Sequence, residues 1–169
     1  MRKKGVIALA MIFAVMLFFV SASGGNENAV IARYDFSSPR ASFESLKKAT
    51  RDKDIEGIFI HQWQCYKRAE GSAYYGMSFE DMIQEMKKRW PGEDIAMGMD
   101  QMWIDGYVKL ADVVFVRESG RSHTQAGSSG TTACTIMLKH APSGKQDTAM
   151  ALNYDGTNEW WVSLTYAGE

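Results

Sequence analysis

Apolar and polar positions alternate most cleanly in the last third of the chain. Between Thr131 and Tyr166 three sets recur at a spacing of two: Cys134, Ile136 and Leu138; Met150, Leu152 and Tyr154; and Trp160, Val162, Leu164 and Tyr166. A period of two puts each set on one face of its strand. Tyr107–Arg117 alternates as well and reads as an earlier strand. Pro142-Ser143-Gly144 and Asp155-Gly156-Thr157-Asn158 supply the turns. These runs predict an antiparallel meander of about four strands, from Tyr107 to Tyr166, with one apolar face that needs a cover. Glu118–Gly130, rich in Ser and Gly and beyond the usual hairpin length, is expected to be a mobile loop.

The first half of the chain carries the helical period. Ser38-Pro39 is a helix start: the Ser38 hydroxyl can accept from an orphan amide, and Pro39 suits the first helical position. Phe43, Leu46 and Ala49 mark one face, and Arg51–Asp54 is a charged turn. A second helix is expected from Asp54, with Ile55, Ile58, Phe59, Gln62 and Tyr66 at helical spacing and Trp63 and Cys65 on its flanks. Ser78–Asp81 resembles a capping box, and behind it Phe79, Met82, Ile83, Met86 and Trp90 follow one face to Pro91-Gly92. Ala29–Phe36 reads either as a strand or as a lead-in beside the first helix. Glu93–Gly106 stays open between a short helix and a Met-rich plug of the core. Helices and strands are segregated, so the fold class is α+β: three N-terminal helices packed on a curved antiparallel sheet, a cone with a pocket.

The N-terminus reads as an address. Arg2, Lys3 and Lys4 precede the apolar run Gly5–Val20, and Val20-Ser21-Ala22 suits a signal peptidase. Residues 1–22 are therefore expected to be a cleaved signal peptide and 23–28 a flexible leader, with 29–169 a single domain. The protein would be exported, periplasmic or secreted from a bacterium, with no membrane attachment after cleavage. Loss of three positive charges takes the net charge from −1 to about −4 over a mature chain of about 147 residues. That balance argues against nucleic acid as a partner, because binding it needs a clustered basic surface. The mature chain keeps Cys65 and Cys134; a disulfide between helix and sheet and two buried thiols are both open readings. No metal and no cofactor is expected: His61 lies four residues before Cys65, but neither that pair nor Cys134 with His140 has a metal-site signature.

Asp112 is the polar residue with most chemical content. Val108, Leu110, Val114 and Val116 share its parity. If that parity points inward, the carboxylate is desolvated and its pKa raised, as a general base near neutral pH requires. A bulge, a cationic neighbour or the opposite register would each place it elsewhere. His140 at the end of its strand and Tyr154 are the candidate hydrogen-bond donors. Trp63, Trp90, Trp103, Tyr107 and Trp160 read as core aromatics, and Trp63, Trp103 and Tyr107 are the candidates to line a ligand pocket. Trp161 has the opposite parity to Trp160. Exposure there would mark a homodimer surface on the outer sheet face, whereas cover by the N-terminal segment would bury it.

Ser38-Pro39, the helix with Phe43 and Leu46, the turn at Arg51–Asp54 and the closing Asn158-Glu159-Trp160-Trp161-Val162 resemble the nuclear transport factor 2-like superfamily. Among its members the chain is most similar to small exported bacterial proteins of unknown function. Members often open with a Pro-led helix and close on a strand reading Gly-x-Trp-x-Val or similar. The resemblance implies an α+β cone with a pocket and leaves the activity open, because the fold hosts isomerases, dehydratases, hydrolases and binders. The leading expectation is a non-catalytic domain binding a small apolar ligand or a protein partner. The alternative is an isomerase- or hydrolase-type enzyme with Asp112 as base.

Overall fold

A computed structural model describes residues 26–68, 72, 74–102, 109–126, 129–141 and 143–163. Its elements run in the expected order, helices first. They are α1 (Glu27–Ile31), α2 (Pro39–Arg51), α3 (Ile55–Tyr66), α4 (Phe79–Arg89), α5 (Glu93–Met102), a 3-10 turn (Leu110–Asp112), β1 (Val113–Ala126), β2 (Ser129–His140), β3 (Gln146–Tyr154) and β4 (Trp161–Val162). The described residues thus hold five α-helices where periodicity predicted three. Residues 26–28, expected in a flexible leader, instead start α1, which Asn26 caps through its side chain.

Local chemistry sets the helix starts. Ser38, Asp54 and Ser78 each accept a hydrogen bond from the amide three residues on, closing the first turns of α2, α3 and α4. The charged turn ends α2 at Asp52, and Lys53 takes a positive φ of 55°. Phe43, Leu46 and Ala49 of α2 and Phe79, Met82, Ile83 and Met86 of α4 are buried, as their spacing predicts. α3 is different, for Ile58, Phe59, Ile60, His61, Trp63 and Gln64 are all buried, so it is covered on most sides. Gly57 in its first turn makes room: a Cβ there would lie 2.6 Å from the ring of Tyr34.

The four strands form one antiparallel sheet in the order β1-β2-β3-β4, the predicted meander. On β2, Cys134, Ile136, Leu138 and His140 are fully buried, as expected. Two other strands correct the pattern. β3 buries Ala149, Ala151 and Asn153, while Met150 is exposed and Leu152 only half-buried. The register explains it. Ala149 pairs with Ile136 and Ala151 with Cys134, so the small residues share the face of the large ones and leave room for the helices. In the first strand, residues 110–112 are a 3-10 turn, so the strand starts at Val113. Val113 is buried and Val114 and Val116 are exposed, the reverse of the expected parity.

The expected loop at Glu118–Gly130 is mostly strand. β1 continues to Ala126 and β2 starts at Ser129, with register shifts between Phe115 and Arg117 and between Glu118 and Gly120. These irregularities break strict alternation, which is why a period-two reading stopped at Arg117. The later turn is as read, with Asp155 and Gly156 both at positive φ, 59° and 64°.

Candidate functional site

The three candidates for proton chemistry do not meet. Asp112 ends the 3-10 turn with its side chain exposed, and its carbonyl accepts from the amide of Ala141. The inward placement that Asp112 would need as a base, one of the readings its parity left open, is not the one adopted: the 3-10 turn rotates it out of the strand parity. His140 is fully buried at the end of β2, with Nε2 3.7 Å from Oδ2 of Asp147. Tyr154 pairs with Thr131, nine positions back along β2 from His140, or roughly 30 Å at the usual rise. Burial, and then the adjacent Cys65, push the Tyr154 phenol above its ordinary range. The Arg68 guanidinium lies 4.9 Å over its ring.

The two cysteines are free thiols, so the disulfide left open by the sequence is not formed. Cys65 sits beside Tyr154, and burial pushes it up to about 11. Cys134 is on the inner sheet face opposite Arg121, with its thiol directed at the carbonyl of Thr135. Of the three candidate pocket aromatics, Trp103 and Tyr107 lie outside the described residues. Trp63 is buried and donates its indole hydrogen to Glu27 Oε2 at 3.0 Å. Glu27 also accepts from Gln64 and Lys67, which straps α1 onto α3. Burial alone would raise the Glu27 carboxyl, but the bonds from Lys67, Trp63 and Gln64 outweigh it and hold it low.

Trp161 takes the covered one of the two placements that its parity left open. It is 2% exposed, packed against Phe36 at 4.4 Å and His61 at 6.1 Å between ring centroids. The N-terminal segment supplies that cover, one of the two accounts the parity allowed. Trp160 is buried too, under the guanidinium of Arg121.

The role of His61 was not evident from its position in the chain. It is fully buried on α3, and its Nδ1 accepts from the amide of Val162 at 3.2 Å. Because Nδ1 is the acceptor, the ring hydrogen sits on Nε2, which has no hydrogen-bond partner among the described residues. Burial lowers its pKa to about 3, so the imidazole stays neutral. This places His61 in the seam between α3 and β4 as a structural acceptor, a role its spacing to Cys65 does not suggest.

Among the described residues, a concavity suited to a ligand lies among the helices. Phe59 of α3, Tyr74, Met86 of α4, Trp90, Ile95 and Met99 of α5 wall a half-open cleft of about 220 Å³. Gln62, Asp94 and Gly98 complete it. The chain builds it at one corner. Trp90 caps α4, Pro91-Gly92 turns with Gly92 at φ 63°, and α5 begins at Glu93. Trp90, expected in the core, is instead 44% exposed at the cleft. The hydroxyl of Tyr74 points to Met86 Sδ at 3.8 Å, which ties the 74–77 turn to α4.

Comparisons with family models, with curated proteins and with solved structures found no match to this chain. What stands is a mixed α+β chain with a four-stranded antiparallel sheet. No described helix is long and apolar enough to cross a membrane.

Proposed function

We propose that the chain is an exported domain of the nuclear transport factor 2-like kind, which acts by binding a small apolar ligand and not by turnover. The observation that carries this reading is the half-open cleft walled by Phe59, Tyr74, Met86, Trp90, Ile95 and Met99. A concavity with mostly apolar walls and few polar groups is the usual form of a small-molecule site. Methionine walls add adaptability to ligand shape. Export is proposed from Arg2–Lys4, the run Gly5–Val20 and the site after Ala22, which lie outside the described residues.

The enzyme alternative draws less support. Asp112 is exposed, and His140 and Tyr154 sit far apart along the sheet. A homodimer through the outer sheet face loses Trp161 as its anchor, since that ring is buried. Partner binding is for these reasons the weaker form of the binding reading.

The test fills the cleft from within. A Cβ built on Gly98 meets nothing within 4 Å, so Gly98→Leu can place its side chain in the cleft without a backbone clash. The probe is N-phenyl-1-naphthylamine, an uncharged apolar fluorophore, titrated into the mature chain. The expected result is saturable binding that weakens at least about tenfold in Gly98→Leu, with helix content and thermal stability retained. Unchanged binding in a folded Gly98→Leu variant would overturn the reading.

A further inference from the structure

The cleft among α3, α4 and α5 has a more specific chemistry than its apolar walls alone suggest. Three of the side chains that line it are aromatic: Phe59, Tyr74 and Trp90. Among the described residues its one formally charged lining residue is Asp94, in the first turn of α5. Aromatic faces carry negative potential and attract cations within about 6 Å of the ring centroid, Trp most strongly. A carboxylate beside them adds a full negative charge of the same sense.

Neighbouring charges leave that carboxylate available. Lys53 is engaged by Glu93 at 2.7 Å. Lys88 and Arg89, the basic residues nearest Trp90 in sequence, are both engaged by Glu85, at 3.4 and 3.5 Å. Asp94 is exposed, and no ion pair to it is formed among the described residues. Trp90 and Asp94 flank the short turn between α4 and α5, and both line the cleft. That corner is a local arrangement, independent of the sheet.

From this juxtaposition we propose that the ligand of the cleft is an organic cation with an apolar shell, of the quaternary ammonium or hydrophobic amine class. The aromatic faces take the methyl or alkyl groups, and Asp94 takes the charge at the open side. Gln62 offers a hydrogen-bonding amide for a polar substituent on the same ligand. The inference rests on the proposed binding role of the cleft and specifies its ligand class.

The experiment uses three probes with one carbon shell and three charges: choline, 3,3-dimethylbutan-1-ol and 3,3-dimethylbutanoate. Each is tested for displacement of N-phenyl-1-naphthylamine from the mature chain at low salt. Choline is expected to compete at a concentration at least about fivefold lower than the neutral alcohol, and the carboxylate least of all. Asp94→Asn, and separately Trp90→Leu, are expected to reduce the preference for choline over the alcohol to below about twofold. Added salt should reduce it in the parent chain, because Asp94 is exposed to screening. Equal competition by choline and the alcohol overturns the cation inference and leaves apolar binding standing. A preference for choline that survives Asp94→Asn and Trp90→Leu overturns the assignment to this corner. Failure of the fluorophore to bind before any competitor is added is the failure of the cleft reading itself, and the inference falls with it.

Discussion

The sheet has two edges, and they are protected by opposite means. At β4, three backbone groups of Trp160 and Val162 find partners outside the sheet, on the segment before α2 and on α2 and α3. The amide of Trp160 donates to the carbonyl of Phe36 at 2.8 Å, its carbonyl accepts from the hydroxyl of Ser42 at 2.7 Å, and the amide of Val162 donates to His61 Nδ1. Trp161 fills the space behind them against Phe36 and His61. Along β1, from Arg117 to His123, every side chain is exposed. Two register shifts interrupt that strand, and Arg117, Glu118 and Arg121 are spaced along it. Bulges and charges discourage another strand from adding to an open edge, while covering elements remove the edge altogether. A two-residue strand needs the second solution, because it has few ladder bonds of its own. A long strand anchored at its start, where Phe115 meets Phe43 and Arg40, can rely on the first.

This contrast can be tested by unequal losses at the two edges. The largest is expected for Trp161→Ala, which empties a buried site and should cost about 3–5 kcal/mol in denaturant unfolding. A loss below about 1 kcal/mol would mean that β4 is not held by its cover. Next comes acid. The His61 pKa of about 3 lies below its ordinary 6.5, so the unfolded chain takes up this proton first. The contribution is complete above pH 6.5 and drains as pH falls towards 3, by about 1.4 kcal/mol per pH unit. Urea titrations at pH 6.5 and 5 should therefore differ by about 2 kcal/mol from this group. In His61→Gln, whose amide oxygen can still accept from Val162, the difference should shrink accordingly. An equal pH dependence in both proteins would remove His61 from the account.

Ser42→Ala is a smaller step. It leaves the buried carbonyl of Trp160 without its hydroxyl donor and should cost about 1–2 kcal/mol. Hydrogen exchange would sharpen the same point, with the Val162 amide slowed in the parent chain and accelerated in the variant. The smallest effect belongs to the open edge. Val116→Thr keeps the branched shape of an exposed side chain and should change stability by less than about 0.5 kcal/mol. A cost comparable with that of Ser42→Ala would show that β1 is covered in solution after all.

Much of the fold was readable from short-range pattern. The caps Ser38 and Ser78, the start of α3 at Asp54, the buried stripes of α2 and α4, the inward set Cys134, Ile136, Leu138 and His140, and the antiparallel order all depend on spacing and on residues a turn apart. Such features are decided by local geometry, so a linear text carries them. The candidate site was less readable. The cleft draws on α3, the 74–77 turn, α4 and α5, and Trp90 was expected in the core. Pro91-Gly92 did mark the corner, but not which side chains would face one another across it.

Only the assembled structure settled which face of each strand turns inward where two choices were both apolar. On β3, Met150 and Leu152 are the more hydrophobic set, yet Ala149 and Ala151 are buried, because register with β2 and the space left by the helices reward fit over hydrophobicity. The same holds for Asp112, turned outward by one 3-10 turn, and for His61, whose partner is an amide 101 residues away. Periodicity along a chain reports which residues share a face. Which face is covered, and by what, depends on contacts between elements distant in sequence, and those exist only once the chain has folded.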